Sequence, residues 1–196
     1  MLQLGPDAPT LCEGWTTRHL AAHLVVRESR PDAAAGIIGG PLSAWTERVT
    51  NSTATQSYPE LVRKVRTGPP TLSWFSLPGM DGLGNLTEYV VHHEDVRRAQ
   101  PDWTAREISP DLADELWGRL RQMARLFVRR VPGGVTLERT DGSGGSFVAK
   151  KGSPMVTVSG TSLELIMRLH GRTATLAEVS GTPSAVAAFE AARISL

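Results

Sequence analysis

Residues 86–100, LTEYVVHHEDVRRAQ, decide how this chain of 196 residues folds. Their apolar side chains recur three and four positions apart, a spacing that predicts an amphipathic helix. Glu88 and His92 are four positions apart on a face next to the apolar one, so a carboxylate and an imidazole lie one helical turn apart. The pattern predicts a helix whose polar face borders the core and offers two ligands to one metal ion.

A second stretch, GWTTRHLAAHL at residues 14–24, supplies the third ligand. Thr16 or Thr17 is a suitable N-cap for a helix that ends near Arg30. His23 lies inside the apolar stripe of this helix. Because helical bundles build metal sites from inward side chains of facing helices, we predict that His23, Glu88 and His92 bind one divalent ion. A helical surface hydrogen bond beside an unrelated His23 is the alternative interpretation.

Two further helices complete a predicted four-helix bundle over residues 1–132. One is expected from about Leu42 to Arg66, broken or frayed at 51–58, where Thr and Ser cluster. Thr67–Gly84 holds three prolines and four glycines, which predicts a long irregular connection. Ser109-Pro110-Asp111 opens the last helix of the bundle, and Val131–Gly134 ends it.

The pattern changes after Gly134, where short alternating segments replace the helical spacing. We predict a small α+β domain over residues 133–196. Its expected elements are strands at 135–139, 146–150 and 155–159, a helix at 162–170, a strand at 176–179 and a last helix at 183–193.

Composition narrows the possible partners and compartments. Lys and Arg number 21 and Asp and Glu 20, so no overall charge attracts nucleic acid or an acidic membrane. Cys12 is the sole cysteine, which excludes an intrachain disulfide, a Cys-rich zinc site and an iron–sulfur site; we interpret it as a small buried residue. No signal peptide, membrane span, Gly-x-Ser-x-Gly motif or phosphate-binding loop is found in the sequence. We expect a cytoplasmic monomer or homodimer.

Residues 14–24 and 88–98 together resemble the metal-binding domain of mycothiol-dependent maleylpyruvate isomerase and its actinobacterial relatives, which is a DinB-like bundle. That family has a Gly-Trp-Thr start, a ligand His on the following helix and a later Glu-x-x-x-His-x-x-Asp, which His23, Glu88, His92 and Asp95 match. The tail resembles the sterol-carrier-like domain that accompanies the bundle, so the resemblance covers essentially the whole chain. Within the family, the chain is most similar to a compact, uncharacterised branch.

The resemblance implies a metal- and thiol-dependent isomerase or S-transferase. Mycothiol would take the open coordination position and act as a thiolate on a small electrophilic substrate. Two imidazoles and a carboxylate favour Zn²⁺, although Ni²⁺, Co²⁺ or Fe²⁺ also suit them. The alternatives are a non-catalytic metal-binding or regulatory module with a closed site, and a hydrolase that uses a metal-bound hydroxide.

Three further residues have open roles. His19 replaces the acidic residue that closes a capping box in relatives, and as a fourth ligand it would close the site. Asp95 either accepts a hydrogen bond from a ligand imidazole or pairs with Arg98 or Arg18. Arg172, in the tail's Gly-Arg motif, either steers an anionic substrate or thiol or is simply solvated.

Overall fold

The computed structural model describes residues 1–34, 41–69, 80–192 and 194. They form two compact units, Met1–Trp103 and Thr104–Leu196. Within the described residues the first unit is built from helices, and the second combines helices with a four-stranded sheet. The predicted succession of a helical region and an α+β region is confirmed at this level.

The first unit contains five α-helices in its described residues: α1 Thr17–Ser29, α2 Pro31–Ala34, α3 Ser43–Ala54, α4 Tyr58–Thr67 and α5 Met80–Arg98. Helix α1 ends at Ser29 because proline disfavours the helical conformation in the residue before it, and Arg30 has φ −127° and ψ 80°. The short α2 was not predicted. It starts at Pro31, in a position where the ring's fixed φ suits a helix start.

The predicted break between residues 51 and 58 is confirmed, since α3 ends at Ala54 and α4 begins at Tyr58. Pro59 is in the first turn of α4, where its missing N–H costs no hydrogen bond. Helices α1 and α4 pack through a small apolar cluster around Ala22 and the fully buried Leu61. This packing leaves another face of α1, the one with His23, for α5.

Helix α5 begins at Met80, six residues before the predicted start at Leu86. The prediction of an irregular connection is therefore wrong for residues 80–84. Glycine lowers helix stability by about 1 kcal/mol but does not forbid a helix, so Gly82 and Gly84 do not prevent α5 from including residues 80–84. Thr67 ends α4, Gly68 and Pro69 are irregular, and the remaining residues 70–79 of that predicted connection lie outside the described residues.

The second unit follows the predicted order of elements: α6 Pro110–Phe127, β1 Gly134–Arg139, β2 Gly145–Lys150, β3 Met155–Gly160, α7 Ser162–Leu169, β4 Glu178–Gly181 and α8 Pro183–Ala191. The strand order is β2-β1-β3-β4, with β1 parallel to β3 and the other pairs antiparallel. Ser109 caps α6 by accepting the backbone N–H of Leu112.

Helix α6 packs on α7 and β2 and belongs to the second unit. The boundary near residue 132 was predicted between the helical bundle and the small α+β domain, and it stays a prediction. Within the described residues, no helix is both long and apolar enough to cross a bilayer.

Candidate metal centre

Helices α1 and α5 bring the three predicted ligands together. Glu88 Oε2 is 4.0 Å from His23 Nε2 and 3.3 Å from His92 Nε2. One ligand atom from each residue lies within 4.8 Å of the other two. Both imidazoles are buried, whereas Glu88 is partly exposed. The convergence of distant residues expected from the sequence is thus present in the fold.

The separations suit a small divalent ion. Zinc binds nitrogen and oxygen at about 2.0–2.1 Å, so two ligand atoms of a tetrahedral site are about 3.4 Å apart. The distance between Glu88 and His92 agrees with this value. The 4.0 Å distance to His23 would have to close by about half an ångström, which a side-chain adjustment can supply. The residues present therefore fit a His₂Glu metal site.

Arg27 fixes the carboxylate from the next turn of α1. Its Nε lies 3.8 Å from Glu88 Oε2, and its Nη1 donates a hydrogen bond to Asn85 Oδ1. Burial alone would raise the pKa of Glu88, but hydrogen bonds with His23 and His92 and the charges of His92 and Arg27 hold that pKa below its usual value. Glu88 is therefore a carboxylate, the form in which it can bind a cation.

His92 is held by a carboxylate at each ring nitrogen. Asp95, which is fully buried, accepts a hydrogen bond from His92 Nδ1 at 2.9 Å. This bond orients the ring so that Nε2 faces Glu88, the arrangement by which proteins fix a histidine ligand. Of the alternatives considered for Asp95, the hydrogen bond to a ligand imidazole is present.

The two imidazoles differ in how readily they take up a proton. Burial lowers the pKa of His23, and the hydrogen bond with Glu88 opposes this only in part. Burial would also lower the pKa of His92, but hydrogen bonds with Asp95, Cys12 and Glu88 raise it well above its usual value. The raised pKa favours a proton on His92 when no metal is bound, and a metal ion has to displace that proton to bind Nε2.

Trp15 closes one side of the ligand pair. Its ring centroid is 5.0 Å from that of His23, and the His23 and His92 rings lie nearly perpendicular with centroids 5.1 Å apart. These contacts restrict rotation of the His23 ring. The Gly-Trp-Thr start of the stretch thus has a local role beside a ligand, in addition to starting the helix.

Cys12 also lies at this centre, which the sequence did not indicate. Its Sγ donates a hydrogen bond to Asp95 Oδ2 at 3.2 Å and is 3.9 Å from His92 Nδ1. The backbone N–H of Leu11 donates to the Asp95 carbonyl at 3.0 Å, which ties this segment to α5. Spacing carries no signal for a contact between residues so far apart in sequence. The interpretation of Cys12 as merely a small core residue misses this contact.

Cys12, His92 and Asp95 do not form a catalytic triad. In such a triad the nucleophile and the orienting carboxylate contact opposite nitrogens of the imidazole. Here Cys12 and Asp95 both approach Nδ1, while Nε2 faces Glu88. Their ligand atoms nevertheless form a second compact group of possible metal donors.

His19 and Arg172 are placed elsewhere. His19 Nδ1 accepts the backbone N–H of Thr16 at 3.3 Å and contacts its hydroxyl at 3.0 Å, so the imidazole performs the capping role of the acidic residue it replaces. Within the described parts of the chain, His19 is in neither group of converging donors. Arg172 is in the second unit and donates to the His170 carbonyl. Its proposed steering of an anion stays a prediction.

Comparisons with known protein families, with curated proteins and with solved structures found no match for this chain. The resemblance based on residues 14–24 and 88–98 therefore stays a prediction, and so does the activity that it implies.

Proposed function

We propose that this chain is a divalent-metal-binding protein in which His23, Glu88 and His92 hold one ion, with Zn²⁺ as the first candidate. The observation that carries the proposal is the convergence of three donor atoms from α1 and α5 in a partly buried position. The hydrogen bond from His92 to Asp95 supports it further, because it orients the ring with one nitrogen toward the other two donors.

We further propose that the bound ion keeps a coordination position open for an external ligand. Three side chains form this group, and His19, the candidate fourth ligand, is engaged in its helix cap. Structural zinc sites have four protein ligands, whereas three protein ligands are typical of catalytic sites. The proposed group therefore favours an enzyme over a closed metal-binding module.

The family resemblance suggests the reaction. On this basis we propose a DinB-like bundle with a sterol-carrier-like domain, acting as a mycothiol-dependent isomerase or S-transferase on a small electrophile. A bound divalent ion would supply a lower thiol pKa, so that a coordinated thiol is a thiolate at neutral pH. The protein's own contribution is to orient His92 through Asp95 and to keep Glu88 ionised beside Arg27.

Metal binding is tested by titration of the purified, metal-stripped protein with Zn²⁺, followed by metal analysis. We expect about one ion per chain, with tight binding lost in His23→Ala and in His92→Ala. His93→Ala is a matched control, because this neighbour on the same helix is 56% exposed and lies in neither donor group. Full affinity in both ligand variants would refute the site.

Thiol dependence is tested by thermal unfolding of the metal-loaded and metal-stripped protein with a panel of low-molecular-weight thiols. We expect a thiol to stabilise only the metal-loaded form, since a ligand that binds the folded state raises its melting temperature. Equal stabilisation of both forms, or none of the loaded form, would contradict a metal-bound thiol. The metal-binding proposal would still stand.

A further inference from the structure

We propose a second, alternative metal site formed by Cys12 Sγ, His92 Nδ1 and Asp95 Oδ2, which takes a thiophilic divalent cation and excludes an ion from the first site. The three atoms are mutually close: sulfur to oxygen 3.2 Å, sulfur to nitrogen 3.9 Å, and nitrogen to oxygen 2.9 Å. They form one of the two compact donor groups in the described parts of the chain.

These separations suit a cation bound by sulfur, nitrogen and oxygen. Zinc bonds to sulfur are about 2.3 Å and those to nitrogen and oxygen about 2.0–2.2 Å, so ligand atoms of a tetrahedral site lie about 3.4–3.6 Å apart. The observed values of 2.9–3.9 Å bracket this range. His92 and Asp95 are buried and Cys12 is partly exposed, so an ion could approach from the side of the thiol.

The donor sets differ in the ions that they prefer. Two imidazoles and a carboxylate, as in the first group, suit borderline ions such as Zn²⁺ and Co²⁺. A thiolate gives the second group a preference for softer ions, and Cd²⁺ is a suitable probe. Binding there releases two protons to solvent, one from the Cys12 thiol and one from His92 Nδ1, because a thiolate and an unprotonated ring nitrogen are the forms that ligate a metal.

His92 makes the two sites alternatives because it belongs to both. With an ion on Nε2, Nδ1 keeps its proton and donates it to Asp95. With an ion on Nδ1, the remaining ring proton is on Nε2, which faces Glu88 Oε2 at 3.3 Å. Filling both sites would remove both ring protons and place two divalent ions across one imidazole, and their mutual repulsion opposes this in a buried site. We therefore expect one ion per chain, held on one side of His92 or on the other.

An ion in the Cys12 site also affects the metal site of the proposed function. A soft ion bound by Cys12 would also bind His92, so the first site would release its metal ion. Cys12 would thus determine which ions the centre can hold. The Cys12 site itself does not depend on the first site being functional; only the exclusion depends on it.

Cadmium titration followed by ultraviolet absorption tests the site. We expect a thiolate-to-cadmium charge-transfer band that saturates at one ion per chain, and its assignment is unambiguous because Cys12 is the only cysteine. Cys12→Ser should lose the band and bind Cd²⁺ more than about tenfold more weakly. His23→Gln should keep the band, since His23 is not in this group. Cys12→Ala serves as a second variant, and circular dichroism establishes that each variant is folded.

Two results would overturn the proposal. The first is cadmium binding to the wild type without a charge-transfer band, or with unchanged affinity in folded Cys12→Ser. The second is saturation with zinc and cadmium together at two ions per chain, which would refute the exclusion. We expect cadmium to displace zinc from the wild type but not from Cys12→Ser. A wild-type protein that shows the cadmium band but does not bind zinc would instead refute the proposed function and leave the Cys12 site standing.

Discussion

Replacing Asp95 with asparagine removes the buried charge that orients His92. Asp95 is fully buried, and its Oδ2 accepts hydrogen bonds from His92 Nδ1 at 2.9 Å and from Cys12 Sγ at 3.2 Å. Asparagine has nearly the same shape, so the packing survives while the charge-assisted hydrogen bond is lost. Loss of the partner that orients a metal-binding histidine typically weakens metal affinity by about 10–100-fold, or roughly 1.4–2.7 kcal/mol.

The assay is zinc competition against a chelator of known affinity, repeated at several pH values. Because Asp95 contributes to the raised pKa of His92, the variant's His92 should lose its proton at lower pH. The pH midpoint of zinc binding should therefore shift downward, while zinc affinity at high pH falls because the orienting hydrogen bond is lost. A loss of packing alone would not produce that shift. Asp7→Asn is the control for removing one negative charge, since Asp7 is an exposed residue of the same unit. Wild-type affinity and an unshifted midpoint in a folded Asp95→Asn protein would refute the reasoning.

Three further outcomes are expected from named contacts. Zinc affinity of the wild type should fall as pH drops through a midpoint above the ordinary histidine pKa of 6.5, because the proton on His92 competes with the metal; a midpoint below 6.5 in the titration would contradict this. In the second unit, the hydrogen bonds of Asp141 with Arg139 and Ser162 outweigh its desolvation and lower its pKa. Asp141 therefore stabilises the folded state fully above pH 3.8, and this effect is lost as pH falls through the lowered pKa. Asp141→Asn should lower the free energy of unfolding by about 1–2 kcal/mol in urea at neutral pH and by much less in acid. Leu61→Ala should cost about 2–5 kcal/mol in the same assay because Leu61 is fully buried, whereas the exposed Leu42→Ala should change stability little.

The sequence is most informative where one helix carries the whole pattern. The four-residue spacing of Glu88 and His92 fixes their relation, because a helix places such residues one turn apart whatever the rest of the fold does. The same reasoning, extended by one turn, would have found Arg27 four residues after His23 and Asn85 three residues before Glu88. Those two side chains are hydrogen-bonded to each other in the structure. Helix periodicity thus predicts both sides of the contact between α1 and α5.

Cys12 could not be found in this way. It precedes the helices, and its position depends on backbone hydrogen bonds such as the one from Leu11 to Asp95. Such bonds involve backbone atoms that every residue except proline carries, so side-chain identity gives almost no sign of them. The start of α5 at Met80 was missed for a related reason, since local propensity is a weak guide once packing contributes to helix stability. What the sequence predicts well is therefore limited to contacts that a single regular element fixes.

The polar contact between α1 and α5 is difficult to explain as a stabilising feature. His23, Arg27, Asn85, His92 and Asp95 are all buried at or beside it. Burying such groups costs solvation energy, and apolar side chains of similar size usually stabilise a helix interface at least as well. The raised pKa of His92 favours an extra proton there in the absence of a metal, and that proton offsets the charges of the neighbouring carboxylates Glu88 and Asp95. A divalent ion at Nε2 would replace that proton with a larger charge between the same carboxylate and imidazoles. The arrangement is thus better explained as a cation-binding site than as a source of stability for the helices that carry it.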